Sequence, residues 1–162
     1  GQPGQHAVEH AELAKTCGDY TFVGELHMMP GQPPQEMTGT AKRTMIMNGY
    51  YLQEDFKSTF MGQPFEGRLI HGYDTINKEH VSVWIDCHSP YMTISRGNKK
   101  ADALSLVGMM PDMMSGNLKK TRSVVKVEDQ GKITYSSYDI AGGEGDKDRL
   151  TMKITYKKQG AK

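Results

Sequence analysis

Apolar and polar residues alternate with period two along most of the chain, and that pattern predicts strands. It begins at Tyr20, where Tyr20, Phe22, Gly24, Leu26 and Met28 fall on one side of an extended segment and Thr21, Val23, Glu25 and His27 on the other. Only the start of the chain departs from it. From His6 to Ala14 good helix formers predominate, with Val8 near Leu13 and Glu9 and Glu12 between them, and Gly18 arrives in time to stop a short helix.

Nine further stretches predict strands: Met37–Met47, Tyr50–Met61, Phe65–Tyr73, His80–Cys87, Tyr91–Arg96, Ala103–Met109, Leu118–Glu128, Lys132–Asp139 and Arg149–Lys157. Their separators carry turn chemistry, among them Asn48-Gly49, Gly62-Gln63-Pro64, Gly97-Asn98, Pro111-Asp112, Asp129-Gln130-Gly131 and Gly142-Gly143-Glu144-Gly145-Asp146. Connections this short join neighbours antiparallel, because parallel crossovers need a dozen residues or more. The fold class is therefore all-β and mainly antiparallel: a single closed barrel of about ten strands with a short N-terminal helix, since closure removes exposed edges. A two-sheet sandwich is the rival.

Polar residues on both faces of the strands favour the barrel. Leu52, Glu54, Phe56, Ser58 and Phe60 share one face of their strand, whereas a sandwich core would show one clean apolar face. A wet or ligand-filled interior tolerates this mixture.

Composition narrows the function classes. The 162 residues fit one domain, expected at 6–158 between flexible tails at 1–5 and 159–162. Twenty Lys and Arg against nineteen Asp and Glu leave a net charge of +1, so no overall field draws in nucleic acid or an anionic membrane surface. No apolar run approaches the roughly 20 residues needed to span a bilayer. Gly1 at the start fits either removal of a signal peptide or an expression remnant. Cys17 and Cys87 allow a single pairing, which is left open.

The order Met61-Gly62-Gln63-Pro64-Phe65-Glu66-Gly67, Gly72-Tyr73-Asp74 and Trp84-Ile85-Asp86 resembles the signature of the bacterial family called domain of unknown function 1579. Gly18-Asp19-Tyr20 and Thr155-Tyr156-Lys157 extend the resemblance from about His10 to Lys157. It implies a small barrel similar to the calycins, or lipocalin-like barrels, whose members hold apolar or amphipathic ligands, and it implies no established reaction. Three departures stand out. Tyr20 replaces a common Trp, Lys157 replaces a common Arg, and Cys87-His88-Ser89-Pro90 replaces the more usual Ser-Met-Ser-Thr. The calycin-style cation over an indole would then become a Lys157-on-Tyr20 contact.

Candidate chemistry centres on the strands Phe65–Tyr73 and His80–Cys87. Ser82, Trp84 and Asp86 share one face of the second, and a hairpin would bring His71 or Tyr73 close to them. A carboxylate beside an imidazole in a partly dry interior can act as an acid/base pair or orient a polar head group. A buried Asp that accepts backbone N–H bonds and holds the Gly72-Tyr73-Asp74 turn region in place is the plainer reading. Cys87 and His88 are adjacent on a strand and so face opposite ways, which argues against a thiolate–imidazole nucleophile. The six histidines show no close-spaced metal motif, and no cofactor is expected. The twelve methionines, clustered at Met28-Met29, Met45-x-Met47 and Met109–Met114, are read as adaptable apolar lining and a lid rather than as copper ligands.

The expected function is binding of a small apolar or amphipathic molecule, with Trp84, Tyr73 and Phe56 giving apolar contact and Asp86, His71 and Glu54 fixing a polar group. The alternative is a small hydrolase or isomerase using Asp86 with His71 or His88. A third reading is a barrel filled by its own side chains. A homodimer is left open, as is the choice between a bacterial cytoplasm and a periplasmic or secreted location.

Overall fold

A computed structural model describes residues 4–129, 131–142 and 147–160. A short helix, α1 (Val8–Lys15), precedes ten strands: β1 (Gly18–Leu26), β2 (Gln35–Ile46), β3 (Tyr51–Phe60), β4 (Gln63–Asp74), β5 (Glu79–Asp86), β6 (Ser89–Lys100), β7 (Ala103–Pro111), β8 (Leu118–Glu128), β9 (Lys132–Asp139) and β10 (Arg149–Lys158). Each strand pairs antiparallel with its neighbours in sequence, and β1 pairs with β10 to close the barrel. Among the described residues no helix is long and apolar enough to cross a membrane.

The alternation read along the chain sorts residues between barrel interior and outer face. Tyr20 and Phe22 on β1, Ala41 on β2, Phe56 on β3, Ile133 on β9, and Ile154 and Tyr156 on β10 pack as one buried cluster. Phe22 stacks on Phe56 with ring centroids 4.5 Å apart. Burying each such side chain stabilises the fold by roughly 1.5–3 kcal/mol. Phe65 on β4, Trp84 on β5 and Val125 on β8 pack against this cluster, and Leu104 and Leu106 are buried on β7.

The chain departs from the expected elements in several places: Cys87 and His88, read as adjacent on a strand, form the β5–β6 turn, and Gln63, Pro64 and Pro111, read as turn residues, lie at the ends of β4 and β7. Gly97-Asn98, read as a turn, lies inside β6, and the reversal falls at Ala101-Asp102. A Cβ on Gly97 would sit 2.0 Å from the Ser105 carbonyl oxygen, so this glycine serves close approach of β6 and β7. The expected turn at Gly142–Asp146 lies mostly outside the described residues, as do parts of both expected tails. Of those tails, the Gly4 carbonyl accepts from the Tyr50 hydroxyl, and the Gln159 amide donates to Asp19 O at 2.7 Å.

Helix α1 lies across the barrel end formed by the start of β1, the end of β2 and the start of β3. His10 and Leu13 are its buried residues. Thr16, just beyond the helix, receives Nη2 and Nε of the inward-facing Arg43 at 3.1 and 3.3 Å, and Glu12 pairs with Lys99 at 2.8 Å. The other end, bordered by the turn at Cys87-His88 and the segment between β7 and β8, carries no helix among the described residues. Cys17 and Cys87 therefore belong to opposite ends, and both are free thiols.

Candidate functional site

Trp84 and Asp86 face inward near the uncovered mouth, and each has a defined partner. The indole Nε1–H donates to Asp86 Oδ2 at 2.8 Å, while the His88 backbone N–H donates to Oδ1 at 2.8 Å. The carboxylate thus holds the indole and the tight β5–β6 turn, and it lies at the other end of the barrel from the Gly72-Tyr73-Asp74 turn it was expected to hold. Trp84 packs edge-on against Phe56 at 5.7 Å. The His88 ring lies edge-on to Phe65 and Phe60, at 5.1 and 5.6 Å. Phe56, Phe60, Phe65, Trp84 and His88 make one aromatic wall running up to the mouth.

His71 is not beside Asp86. Register pairs Asp86 with Gly67, Trp84 with Leu69, His71 with Ser82 and Tyr73 with His80, so His71 lies toward the helix-covered end. Its Nε2 instead meets His80 Nδ1 at 3.0 Å, and one of the two nitrogens carries the shared proton. Burial, followed by the neighbouring His80 and Arg43, lowers the His71 pKa to about 3. Burial lowers that of His80 as well. Both imidazoles are therefore neutral at pH 7. Tyr73 packs against His80 at 5.0 Å and His10 at 6.2 Å, so it belongs to the covered end too.

Glu54 is also engaged. Arg43 Nη1 donates to Glu54 Oε1 at 2.6 Å, with both side chains almost wholly out of solvent. Lys157, offered from sequence as the cation over Tyr20, is exposed on the outer face opposite Thr21. Arg43 acts on Tyr20 from β2, and Lys158, not Lys157, is the residue opposite Tyr20 on β10. The Tyr20 hydroxyl donates to Thr16 O at 2.8 Å, and burial raises its pKa. Burial raises the Tyr156 phenol well above its ordinary value.

Sequence reasoning missed the adjoining wall. There inward positions of β5–β9 include the small or hydroxylated residues Ser82, Thr93, Ser95, Gly108, Thr121 and Ser137, interspersed with Leu104, Leu106, Val125 and Tyr135. Ser82, Ser95, Thr121 and Ser137 are buried. At the mouth Asp139 accepts from Arg149 Nη2 at 2.8 Å and pairs through Oδ1 with Lys119 Nζ at 3.0 Å. The available signal was serine or threonine at the inward phase of several consecutive strands.

Other expectations resolve less favourably. Met113 and Met114, read as lid lining, are 68% and 66% exposed. Among the described residues no three His, Cys, Asp or Glu side chains gather so as to hold a metal ion. On the outer face of β5, Val81 and Val83 line a groove of about 500 Å³, with Tyr51, Ile70, Tyr73 and Arg96 around it.

No curated protein matches the chain. Residues 5–158 match the family described as Protein of unknown function (DUF1579), nearly the whole barrel and its helix. The protein belongs to this DUF1579 family.

Proposed function

We propose that the protein binds a small apolar or amphipathic molecule inside the barrel, admitted at the mouth away from α1. The carrying observation is the asymmetry of the lining. The core cluster draws its large side chains from β1–β3, β9 and β10, while β5–β8 turn Ser82, Thr93, Ser95, Gly108 and Thr121 inward beside Trp84, Leu104, Leu106 and Val125. Small residues among bulky ones leave room, and an aromatic wall that adjoins a polar one suits a ligand with both characters. Partial exposure of the inward-facing Leu69, Trp84, Thr93 and Tyr135 fits that room. Binding is favoured over catalysis because both Asp86 oxygens hold neighbouring groups and His71 sits at the other end.

The test uses Trp84, the single tryptophan of the chain. Native mass spectrometry of protein purified without added ligand should show a retained molecule. Titration with 1-anilinonaphthalene-8-sulfonate should change Trp84 emission saturably, and Thr93→Trp, which fills the interior from the polar wall, should block uptake of the dye. A bare mass together with no change in Trp84 emission would overturn the reading.

A further inference from the structure

The two ends of the barrel differ in kind. Successive connections of an up-and-down barrel alternate between ends, so those after β1, β3, β5, β7 and β9 surround the mouth and the others join α1 at the covered end. At the mouth no Asp, Glu, Lys or Arg occurs over residues 28–35, 58–65 or 87–95, and Asp112 is the single one over 103–118. That carboxylate is engaged locally, accepting from the Ser115 hydroxyl at 2.7 Å. The connections of the covered end sit instead among Lys78, Lys99, Lys100, Asp102 and Glu128. The β9–β10 connection breaks the pattern at the mouth, with Glu144, Asp146, Lys147 and Asp148 in its sequence.

Apolar side chains stand where those charges are missing. Met61 is 70% exposed, Met29 51% and Leu118 50%, and Met113 and Met114 are exposed in the β7–β8 connection. Behind these tips Ile85, Met92, Ile94 and Met109 are exposed on β5–β7. Exposed apolar residues gathered in one place mark a surface that meets a partner or a membrane. Three features point to a membrane. The tips belong to separate connections spaced around an opening, so they do not form one flat patch. Unbranched methionine adapts to fluid surroundings. The lack of charge deprives a protein partner of groups that fix register, whereas hydrocarbon requires it, because ionised side chains are expelled from a bilayer interior. On the outer wall the exposed pairs Asp55–Arg68 and Glu79–Arg96 keep the barrel body in water and confine contact to the tips.

We infer that the tips after β1, β3, β5 and β7 dock the mouth onto a lipid bilayer of no net charge, placing the opening against its acyl chains. The ligand then passes between bilayer and barrel without crossing water. This passage rests on the binding reading above and names the source of the ligand, a lipid bilayer, while the docking itself rests on the tips.

Flotation with vesicles of palmitoyl-oleoyl-phosphatidylcholine tests it. The wild-type protein should rise with the vesicles, equally at low and high salt, because apolar contact is not screened as ion pairs are. The variant Met61→Glu/Met113→Glu/Met114→Glu alters exposed side chains alone and should lower partition by about tenfold or more. Met47→Glu, on the β2–β3 turn of the covered end, should leave it unchanged. Vesicles should also slow maleimide modification of Cys87, an exposed thiol on the β5–β6 turn, in a Cys17→Ser background. A wild type that stays behind the vesicles overturns the inference. Flotation that survives in the triple variant, or that leaves Cys87 freely modified, overturns it as well, and the Cys87 readout decides alone should the triple variant not fold. A dimer that the triple variant splits, without flotation, would assign the rim to a second copy and overturn it too. Uptake of the anilinonaphthalene dye without flotation would leave barrel binding standing. Flotation with neither dye uptake nor a retained molecule would instead bring down the binding reading and keep the docking surface.

Discussion

Arg43 and Glu54 form a buried ion pair, Nη1 to Oε1 at 2.6 Å, that ties two adjacent strands to the segment following α1 through Thr16. Such a pair contributes little net stability, because desolvation offsets most of the attraction, but breaking it strands a charge in the interior. Arg43→Met should therefore destabilise the protein by about 3–5 kcal/mol in urea unfolding. The double variant Arg43→Met/Glu54→Leu should recover most of that loss. An additive double variant would show that the two side chains are not coupled.

The His71–His80 pair makes stability depend on pH. His71 titrates near 3 in the folded protein, against an ordinary value of 6.5, and burial is the main cause. The unfolded chain thus binds more protons between those values, so stability is complete above about pH 6.5 and is lost as pH falls toward 3. Each imidazole held neutral in this way contributes a slope of up to about 1.4 kcal/mol per pH unit. The lowered carboxyl groups of Asp55, held by Arg68, and Asp74, held by Asn77 and Ile76, begin to matter only below their ordinary value of 3.8. Urea midpoints should therefore fall between pH 6.5 and 4.5 in the wild type, with a shallower fall in His71→Gln. Identical slopes would remove His71 as the cause.

Strand phase and hairpin connectivity were legible in the sequence because both are local. Leu118–Glu128 and Lys132–Asp139, read from alternation and turn residues, coincide with β8 and β9. The interior was less legible, because neighbours across strands depend on register. Four residues separate Asp86 from Ser82 on β5, enough to place His71 at the far end from the carboxylate it was expected to meet. The small and hydroxylated inward residues Ser82, Ser95, Gly108 and Thr121 are scattered over four strands and become neighbours only through register. Arg43 looks like an ordinary surface cation until its inward phase between Ala41 and Met45 is recognised.

Phe56 joins the core cluster to the aromatic wall, stacking on Phe22 and meeting Trp84 and Phe65 edge-on. It is 4% exposed. Phe56→Ala removes those contacts and leaves a cavity, at a cost of about 3–5 kcal/mol. Thermal unfolding followed by circular dichroism measures the loss. A change below 1 kcal/mol would mean that this cluster is loosely packed.

Gly67 makes the position of Trp84 testable in the folded state. The two residues lie on neighbouring strands, and a Cβ added at Gly67 would fall 2.3 Å from indole carbons. No real side chain tolerates that separation, so the ring must rotate or β4 must shift. Rotation would draw Nε1–H from Asp86 Oδ2, which it now reaches at 2.8 Å, and leave the carboxylate bound mainly to the His88 amide. Gly67→Ala should consequently move the tryptophan emission maximum and raise its accessibility to acrylamide. Overpacking of this kind costs about 1–3 kcal/mol, so the far-ultraviolet strand signal should persist at room temperature. Ser58→Ala, on the same wall but away from the indole, should leave emission untouched. If Gly67→Ala also leaves it unchanged, the indole does not rest on the Gly67 backbone, and the aromatic wall must be drawn differently.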